Sequence, residues 1–132
     1  MEMKQLVPDL MVDDVAKTIT FYQDVLGFKT VATAPENAPV LCWALIKNGG
    51  VHFMLQSRSS FVQELPSLNA PKAGGTLIFY ITVPDVQGWY ASIKGKAKIV
   101  TDLRETTYGT KEFALEDCNG YVLVIADDPH CA

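Results

Sequence analysis

The hydrophobic pattern in the first half of the chain predicts one helix among several strands. Apolar residues recur at i, i+4, i+7 and i+11 along one helical face, at Val15, Ile19, Tyr22 and Leu26. Asp13 or Asp14 would cap the start of this helix, and Gly27 would close it. Segments rich in β-branched and aromatic residues predict strands over 5–12, 28–34, 39–47 and 51–56, the last two joined by an Asn-Gly-Gly turn.

The second half gives the same order of elements. Its predicted helix follows Asp85 and carries apolar residues at i, i+3, i+4 and i+7, at Val86, Trp89, Tyr90 and Ile93. The predicted strands cover residues 76–83, 96–103, 110–116 and 121–126, and Asn119-Gly120 forms the hairpin between the last two. Each half therefore has the element order βαβββ.

Two short sequence matches relate the halves at one common offset. The segment VDDV at 12–15 is echoed by VPDV at 83–86, and the Asn-Gly pair at 48–49 is echoed at 119–120. Matches at one spacing indicate an internal duplication.

We predict an α+β fold in which two βαβββ modules form an open barrel-like cleft within a single domain. The first module covers about residues 5–65, a linker covers 66–75, the second module covers about 76–127 and a tail covers 128–132. A four-stranded sheet packed on one helix leaves its other face half covered, and a second module can cover that face. Pockets at such junctions commonly bind small molecules.

Composition limits the classes of partner. With 132 residues and 14.5 kDa, the chain fits one domain. A formal charge of -4 and a pI near 5.0 lack the positive surplus of a nucleic-acid-binding protein. No apolar run suits a membrane helix and the first residues carry charges, so we expect a cytoplasmic protein without a membrane partner. Cys42, Cys118 and Cys131 lack CxxC spacing, so reduced thiols are expected.

Four segments resemble the vicinal oxygen chelate superfamily, which includes glyoxalase I, extradiol dioxygenases, fosfomycin-resistance enzymes and bleomycin-resistance proteins. They are LMVDDV at 10–15, FYQDVLGF at 21–28, YGTKEFALED at 108–117 and NG at 119–120. The last two look like the closing signature of the bleomycin-resistance branch. The resemblance implies a homodimer, because these families usually pair modules between subunits to complete their clefts.

Enzymes of this superfamily mostly hold a divalent ion with His and Glu on the first and last strands of each module. By resemblance these four positions fall on Val7, about Met54, Ile78 and Val124. Such side chains do not replace the hydration of a divalent ion, so we expect no metal and no cofactor there. Of the two histidines, His130 lies in the predicted tail, and we expect His52 to be solvent-facing or hydrogen-bonded.

Six residues are candidates for lining the cleft: Asp9, Trp43, Met54, Tyr80, Tyr108 and Glu112. Period-two alternation places Asp9 on the face of Val7, where a buried carboxylate would need a cationic or donor-rich neighbour. The alternative is that Asp9 bonds backbone amides or a lysine. The aromatic residues could stack on a planar or cationic ligand, or simply pack in the core. Glu112 could favour basic ligands, or lie with Glu116 on a solvated face.

We therefore predict a metal-free small-molecule-binding protein that sequesters a bleomycin-like or other planar or cationic compound. The first alternative is a metal-dependent lyase or dioxygenase of the same superfamily whose ligands have moved to residues such as His52, Gln56 and Glu112. The second is a protein that binds other chains through its sheets, with a cavity filled by its own side chains.

Overall fold

The structure is a computed structural model that describes residues 1–36 and 38–128. The chain divides into two units, residues 1–73 and 74–132. His130 and Cys131 of the predicted tail lie outside the described residues, whereas Cys42 and Cys118 lie within them. No helix within the described ranges is both long enough and apolar enough to cross a bilayer.

The first unit contains one four-stranded sheet and two α-helices. In chain order these are β1 (Asp9–Val12), α1 (Val15–Leu26), β2 (Lys29–Ala34), β3 (Trp43–Asn48), β4 (Val51–Ser57) and α2 (Arg58–Glu64), followed by a short 3-10 helix at Pro66–Leu68. The strand order is β1-β4-β3-β2. Strand β1 runs parallel to β4, and the other neighbours are antiparallel.

Helix α1 begins and ends where the sequence predicts. The Asp14 carboxylate accepts a hydrogen bond from the backbone N–H of Lys17 at 3.0 Å, which caps the first turn. Gly27 ends the helix in the left-handed region at φ 68°, where a side chain would be strained. Between these ends, the fully buried Tyr22 packs edge-on against Phe28 and Phe53, with ring centroids 5.3 and 5.8 Å away.

The second unit repeats this topology. It contains β5 (Ile78–Thr82), α3 (Val86–Ile93), β6 (Lys98–Glu105), β7 (Lys111–Glu116) and β8 (Val122–Ala126). The strand order is β5-β8-β7-β6, with β5 parallel to β8. Asp85 caps α3 by accepting from Gly88 N–H at 3.0 Å, and the Tyr90 ring of α3 packs edge-on against Phe113. Two open sheets, each from a βαβββ sequence, confirm the predicted α+β fold.

Several predicted boundaries were wrong. Strand β1 begins at Asp9 rather than residue 5, because Pro8 has no N–H to donate to a ladder, so Val7 lies outside the sheet. Strand β3 begins at Trp43 rather than residue 39, after the loop that contains Pro39. Strand β6 runs two residues further than expected, to Glu105.

The sequence analysis missed α2. This helix buries none of its residues, so it carries no apolar stripe that could have revealed it. Its N-cap is Ser57, whose hydroxyl accepts from the backbone N–H of Ser60 at 3.4 Å. Helix α2 therefore occupies the end of the predicted first module, where no element was expected, and the following 3-10 helix occupies the start of the predicted linker.

Candidate functional site

Each face of the second sheet has a different character. Phe113 and Leu115, at 1% and 0% exposure, belong to the face that packs against α3. The alternate residues point the other way, and there Ile78 and Tyr80 keep 62% and 50% of their surface exposed. This open face of the second sheet is a surface available to a partner or ligand.

A cavity of about 470 Å³ lies on the open face. Five of its lining residues present hydrocarbon, namely Ile78, Val100, Ala114, Val122 and Val124, and Phe113, whose ring packs on the α3 side, also borders it. Five present polar groups: Tyr80, Thr101, Arg104, Tyr108 and Glu112. A mostly apolar lining with a few grouped polar side chains is typical of small-molecule sites.

Glu112 is the hydrogen-bonding centre of the polar side. The residue is only 6% exposed. One oxygen, Oε2, accepts from the Tyr80 hydroxyl at 2.8 Å and from the Thr110 hydroxyl at 3.1 Å. The other, Oε1, accepts from the Tyr108 hydroxyl at 2.7 Å. Three hydroxyl groups therefore solvate this buried carboxylate in place of water.

These contacts keep Glu112 ionised. Burial by itself would raise the pKa of Glu112, but the hydrogen bonds from Tyr108, Tyr80 and Thr110 and the nearby charge of Arg104 lower it below its ordinary value. The pKa of Tyr80 is raised by partial desolvation and by its bond to Glu112, and that of Tyr108 chiefly by its own bond to Glu112. The cluster is thus a carboxylate with protonated phenols, a stable arrangement at neutral pH.

Arg104 lies on the strand next to Glu112. The two residues are register partners on β6 and β7, and the Arg104 guanidinium stands 3.8 Å from Glu112 Oε1. The Arg104 side chain is 55% exposed, whereas the Glu112 side chain is 8% exposed. Among the described residues, the Arg104 side chain makes this ion pair and no hydrogen bond. Its N–H donors therefore remain available to a ligand.

The open face of the first sheet is built differently. Register pairing puts Asp9 beside Met54, and Trp43 beside Gln56. Gln56 is 5% exposed, and its Nε2 donates to Ser60 Oγ at 2.9 Å and to Glu64 Oε2 at 3.0 Å. Because both acceptors belong to α2, this helix covers the Gln56 end of the face.

Asp9 has a different neighbour from the one expected. The residue is accessible to solvent as a whole, but partial desolvation of its carboxyl raises its pKa, and the negative charge of Glu64 raises it further. In the described part of the chain Asp9 has no lysine or arginine partner and accepts no hydrogen bond from a backbone amide. A carboxylate rather than a cation therefore faces it.

The structure brings together three of the six candidate residues: Tyr80, Tyr108 and Glu112. Trp43, Met54 and Asp9 instead share the open face of the first sheet. Sequence reasoning missed Thr110 and Arg104. Thr110 had a signal, because Tyr108, Thr110 and Glu112 alternate as residues on one side of an extended segment do.

The side chains at the four positions where the superfamily mostly holds a metal ion are poor metal ligands. Val7 precedes β1, Ile78 and Val124 supply only hydrocarbon, and Met54 supplies a thioether. Divalent ions in such sites need nitrogen, oxygen or thiolate donors, so this donor set does not fit one. Across residues 1–36 and 38–128, no three His, Cys, Asp or Glu side chains are grouped so as to hold a metal.

The structure also shows where the metal ligands proposed for the lyase or dioxygenase alternative lie. Gln56 is already bonded to Ser60 and Glu64, and Glu112 to three hydroxyls. His52 lies on β4 opposite Lys47, on the same face as Met54. His52 and Gln56 belong to the first unit and Glu112 to the second.

Comparison with solved structures shows the fold. TioX from Micromonospora sp. ML1 matches with a TM-score of 0.75 at 19% identity, over 95% of this chain and 98% of that chain. A protein of unknown function from Agrobacterium tumefaciens matches with a TM-score of 0.78 at 20% identity, over 97% and 96%. A glyoxalase/bleomycin resistance protein/dioxygenase family enzyme from Burkholderia phytofirmans matches with a TM-score of 0.73 at 17% identity, over 90% and 94%.

Sequence comparison identifies the family. A search of curated proteins finds no match. The family model described as Glyoxalase/Bleomycin resistance protein/Dioxygenase superfamily matches residues 4–125, which is nearly the whole chain. The protein therefore belongs to the glyoxalase/bleomycin resistance protein/dioxygenase superfamily.

Proposed function

We propose that the protein binds a planar, mostly apolar small molecule reversibly on the open face of the second sheet. The observation that carries the proposal is the cavity of about 470 Å³, in which hydrocarbon side chains stand beside a buried carboxylate held by three hydroxyls. The apolar lining supplies affinity. The hydrogen bonds of the polar cluster hold its side chains in place, so they need not rearrange when a ligand binds.

The exposed apolar surface provides the driving force. Ile78 is 62% exposed and Val100 is 48% exposed, so a ligand placed against them removes hydrocarbon from water. Each 100 Å² or so of apolar area buried in this way contributes about 2.5 kcal/mol before the costs of association. The rings of Tyr80 and Tyr108, about half exposed, offer planar surfaces for stacking.

Binding without turnover is supported by the chemistry of the lining. General acid–base catalysis works best with a group whose pKa lies near the working pH. Here the pKa of Glu112 is lowered and those of Tyr80 and Tyr108 are raised, so all three move away from neutrality. Within residues 1–36 and 38–128, the lining includes no cysteine, histidine or lysine that could act as a nucleophile.

We also propose that the protein is a homodimer. The open face of the second sheet leaves Ile78, Tyr80 and Val100 exposed, and a second copy facing this sheet would close the cavity around a bound ligand and remove the remaining apolar surface from water. Light scattering coupled to size-exclusion chromatography should give twice the chain mass of 14.5 kDa. A monomer at micromolar concentration would remove this part of the proposal and leave the ligand site intact.

A matched pair of variants tests the ligand site. Naphthalene-1-acetamide, a neutral planar probe, and bleomycin, a cationic one, are titrated calorimetrically against the wild-type protein. Ile78→Gln should weaken binding of the probe about fivefold, because it removes apolar contact from the cavity. Val31→Gln is the control, since Val31 is 51% exposed on β2 and does not line the cavity.

The outcomes separate the alternatives. Equal affinities in the two variants would place the bound probe elsewhere and contradict the proposal, as would no binding of either probe. Turnover of a diol or a glutathione adduct only in the presence of a divalent ion would favour the lyase or dioxygenase alternative.

A further inference from the structure

Two opposite charges border the cavity, and they differ in access. The Glu112 side chain is 8% exposed and its oxygens already accept from three hydroxyls. The Arg104 side chain is 55% exposed and is held by Glu112 only through a 3.8 Å ion pair, which is longer than a hydrogen bond. A ligand entering the cavity therefore meets the positive charge and not the negative one.

The hydroxyl groups around Glu112 explain why its carboxylate is not available to a ligand. Oε2 accepts from both Tyr80 and Thr110, which uses its two lone-pair directions. Oε1 accepts from Tyr108 and faces Arg104. A cationic ligand would have to displace one of these partners and leave a hydroxyl unpaired, at a cost comparable to the bond it gained.

Arg104 can bind an anionic ligand without losing a hydrogen bond. Its guanidinium has five N–H donors in a planar fork that matches carboxylate, sulfonate or phosphate oxygens. Thr101, on the same strand and also lining the cavity, carries a hydroxyl for which no hydrogen bond is found in the described residues. Both line the same cavity as the apolar side chains of Ile78 and Val100.

We infer that the ligand is an amphipathic anion, with a planar apolar body on the sheet and an anionic group bound by Arg104. This inference rests on the proposed function and narrows it to one ligand class. It reverses the charge expected from Glu112 in the sequence. Glu112, held by its three hydroxyls, keeps its charge opposite Arg104 at the edge of the cavity, and the exposed guanidinium is the group that faces the ligand.

Three probes of one size and ring system test the charge of the ligand. They are naphthalene-1-acetate, the neutral naphthalene-1-acetamide and the cationic 1-naphthylmethylamine. Calorimetric titration at pH 7 and low salt should rank the acetate about tenfold tighter than the acetamide, with the amine weakest. The preference should shrink as salt is added, because the Arg104 side chain is largely in solvent.

The variants Arg104→Gln and Lys98→Gln identify the residue responsible. Lys98 lies on the same strand, is 74% exposed and pairs with Glu116, but it does not line the cavity. Both variants remove one positive charge, so they alter long-range attraction equally. Arg104→Gln should abolish the preference for acetate over acetamide, and Lys98→Gln should keep it.

Each remaining outcome is decisive. If acetate and acetamide bind wild type equally, or if Lys98→Gln and Arg104→Gln reduce the preference alike, the anion site is contradicted while the apolar cavity stands. A tighter amine would show that Glu112 governs the ligand charge after all. If none of the three probes binds, the proposed function fails and the anion site fails with it.

Discussion

The hydroxyl of Tyr80 on β5 donates to the carboxylate of Glu112 on β7 over 2.8 Å, across the intervening strand β8. This bond ties two strands that are not neighbours in the sheet. The bond joins two side chains and involves no backbone group. A side-chain substitution can therefore remove it without disturbing the hydrogen bonds of the sheet.

Removing the Tyr80 hydroxyl should destabilise the protein by about 1 kcal/mol, the usual contribution of one half-exposed hydrogen bond to a charged group. Tyr80→Phe keeps the ring and takes away one of the three donors to Glu112. Urea unfolding would measure the loss. Tyr90→Phe is the matched control, because Tyr90 bonds Asp102 in an exposed pair and should change stability less. Equal losses in both variants would mean that the buried cluster is no stronger than a surface bond.

The stability of the wild-type protein should fall in acid partly through Glu112. Its folded pKa is lowered from the ordinary value of 4.5, so the folded state binds its proton less readily than the unfolded state. This contribution is fully present above about pH 4.5 and is lost as the pH falls through the lower folded pKa. Glu112→Gln should therefore unfold with a shallower acid dependence in that window. Identical acid slopes for the two proteins would contradict the assignment.

Asp9 should act in the opposite sense. Its folded pKa is raised above the ordinary value of 3.8 by desolvation and by Glu64, so the ionised carboxylate is disfavoured in the folded state. Stability associated with Asp9 is present below pH 3.8 and is lost as the pH rises through the folded pKa. Asp9→Asn should thus raise stability at pH 7 and make no difference in strong acid. Asp24→Asn, on the exposed side of α1, is the control and should not stabilise the protein.

Chelation should leave the protein unchanged. The side chains at the four superfamily metal positions do not suit a divalent ion, so EDTA treatment should alter neither the thermal midpoint nor the affinity for naphthalene-1-acetate. Elemental analysis of protein purified without chelator should find no divalent ion in stoichiometric amount. A stoichiometric ion, lost together with binding on chelation, would contradict this expectation and favour the enzyme alternative.

The parts of the fold that depend on local signals were predictable. Asp14 and Gly27 at the ends of α1, and Asp85 at the start of α3, are specific cap residues whose effect does not depend on distant contacts. Helix α2 was not predictable from periodicity, because it buries none of its side chains. The surroundings of Asp9 were not predictable for the same reason. Glu64, whose charge adds to desolvation in raising the pKa of Asp9, belongs to this missed helix.

The candidate site was predicted in part for a similar reason. Period-two alternation predicts which residues share a face, and Tyr80 and Glu112 do lie on one face because β5, β7 and β8 pair without interruption. Arg104 was missed because the predicted strand ended at residue 103, and because the register between β6 and β7 shifts twice, between Ile99 and Thr101 and again between Thr101 and Arg104. Counting alternate residues along β6 therefore fails, and only the three-dimensional register brings Arg104 opposite Glu112.

The two units share one strand order but differ on the open faces of their sheets. After β4, helix α2 closes over Gln56 and binds it with two side-chain hydrogen bonds, while the equivalent face of the second sheet keeps its cavity. Because Ile78 and Val100 are largely exposed and hold little of the core together, substitutions there should change the ligand preference of the proposed site while leaving folding almost unchanged.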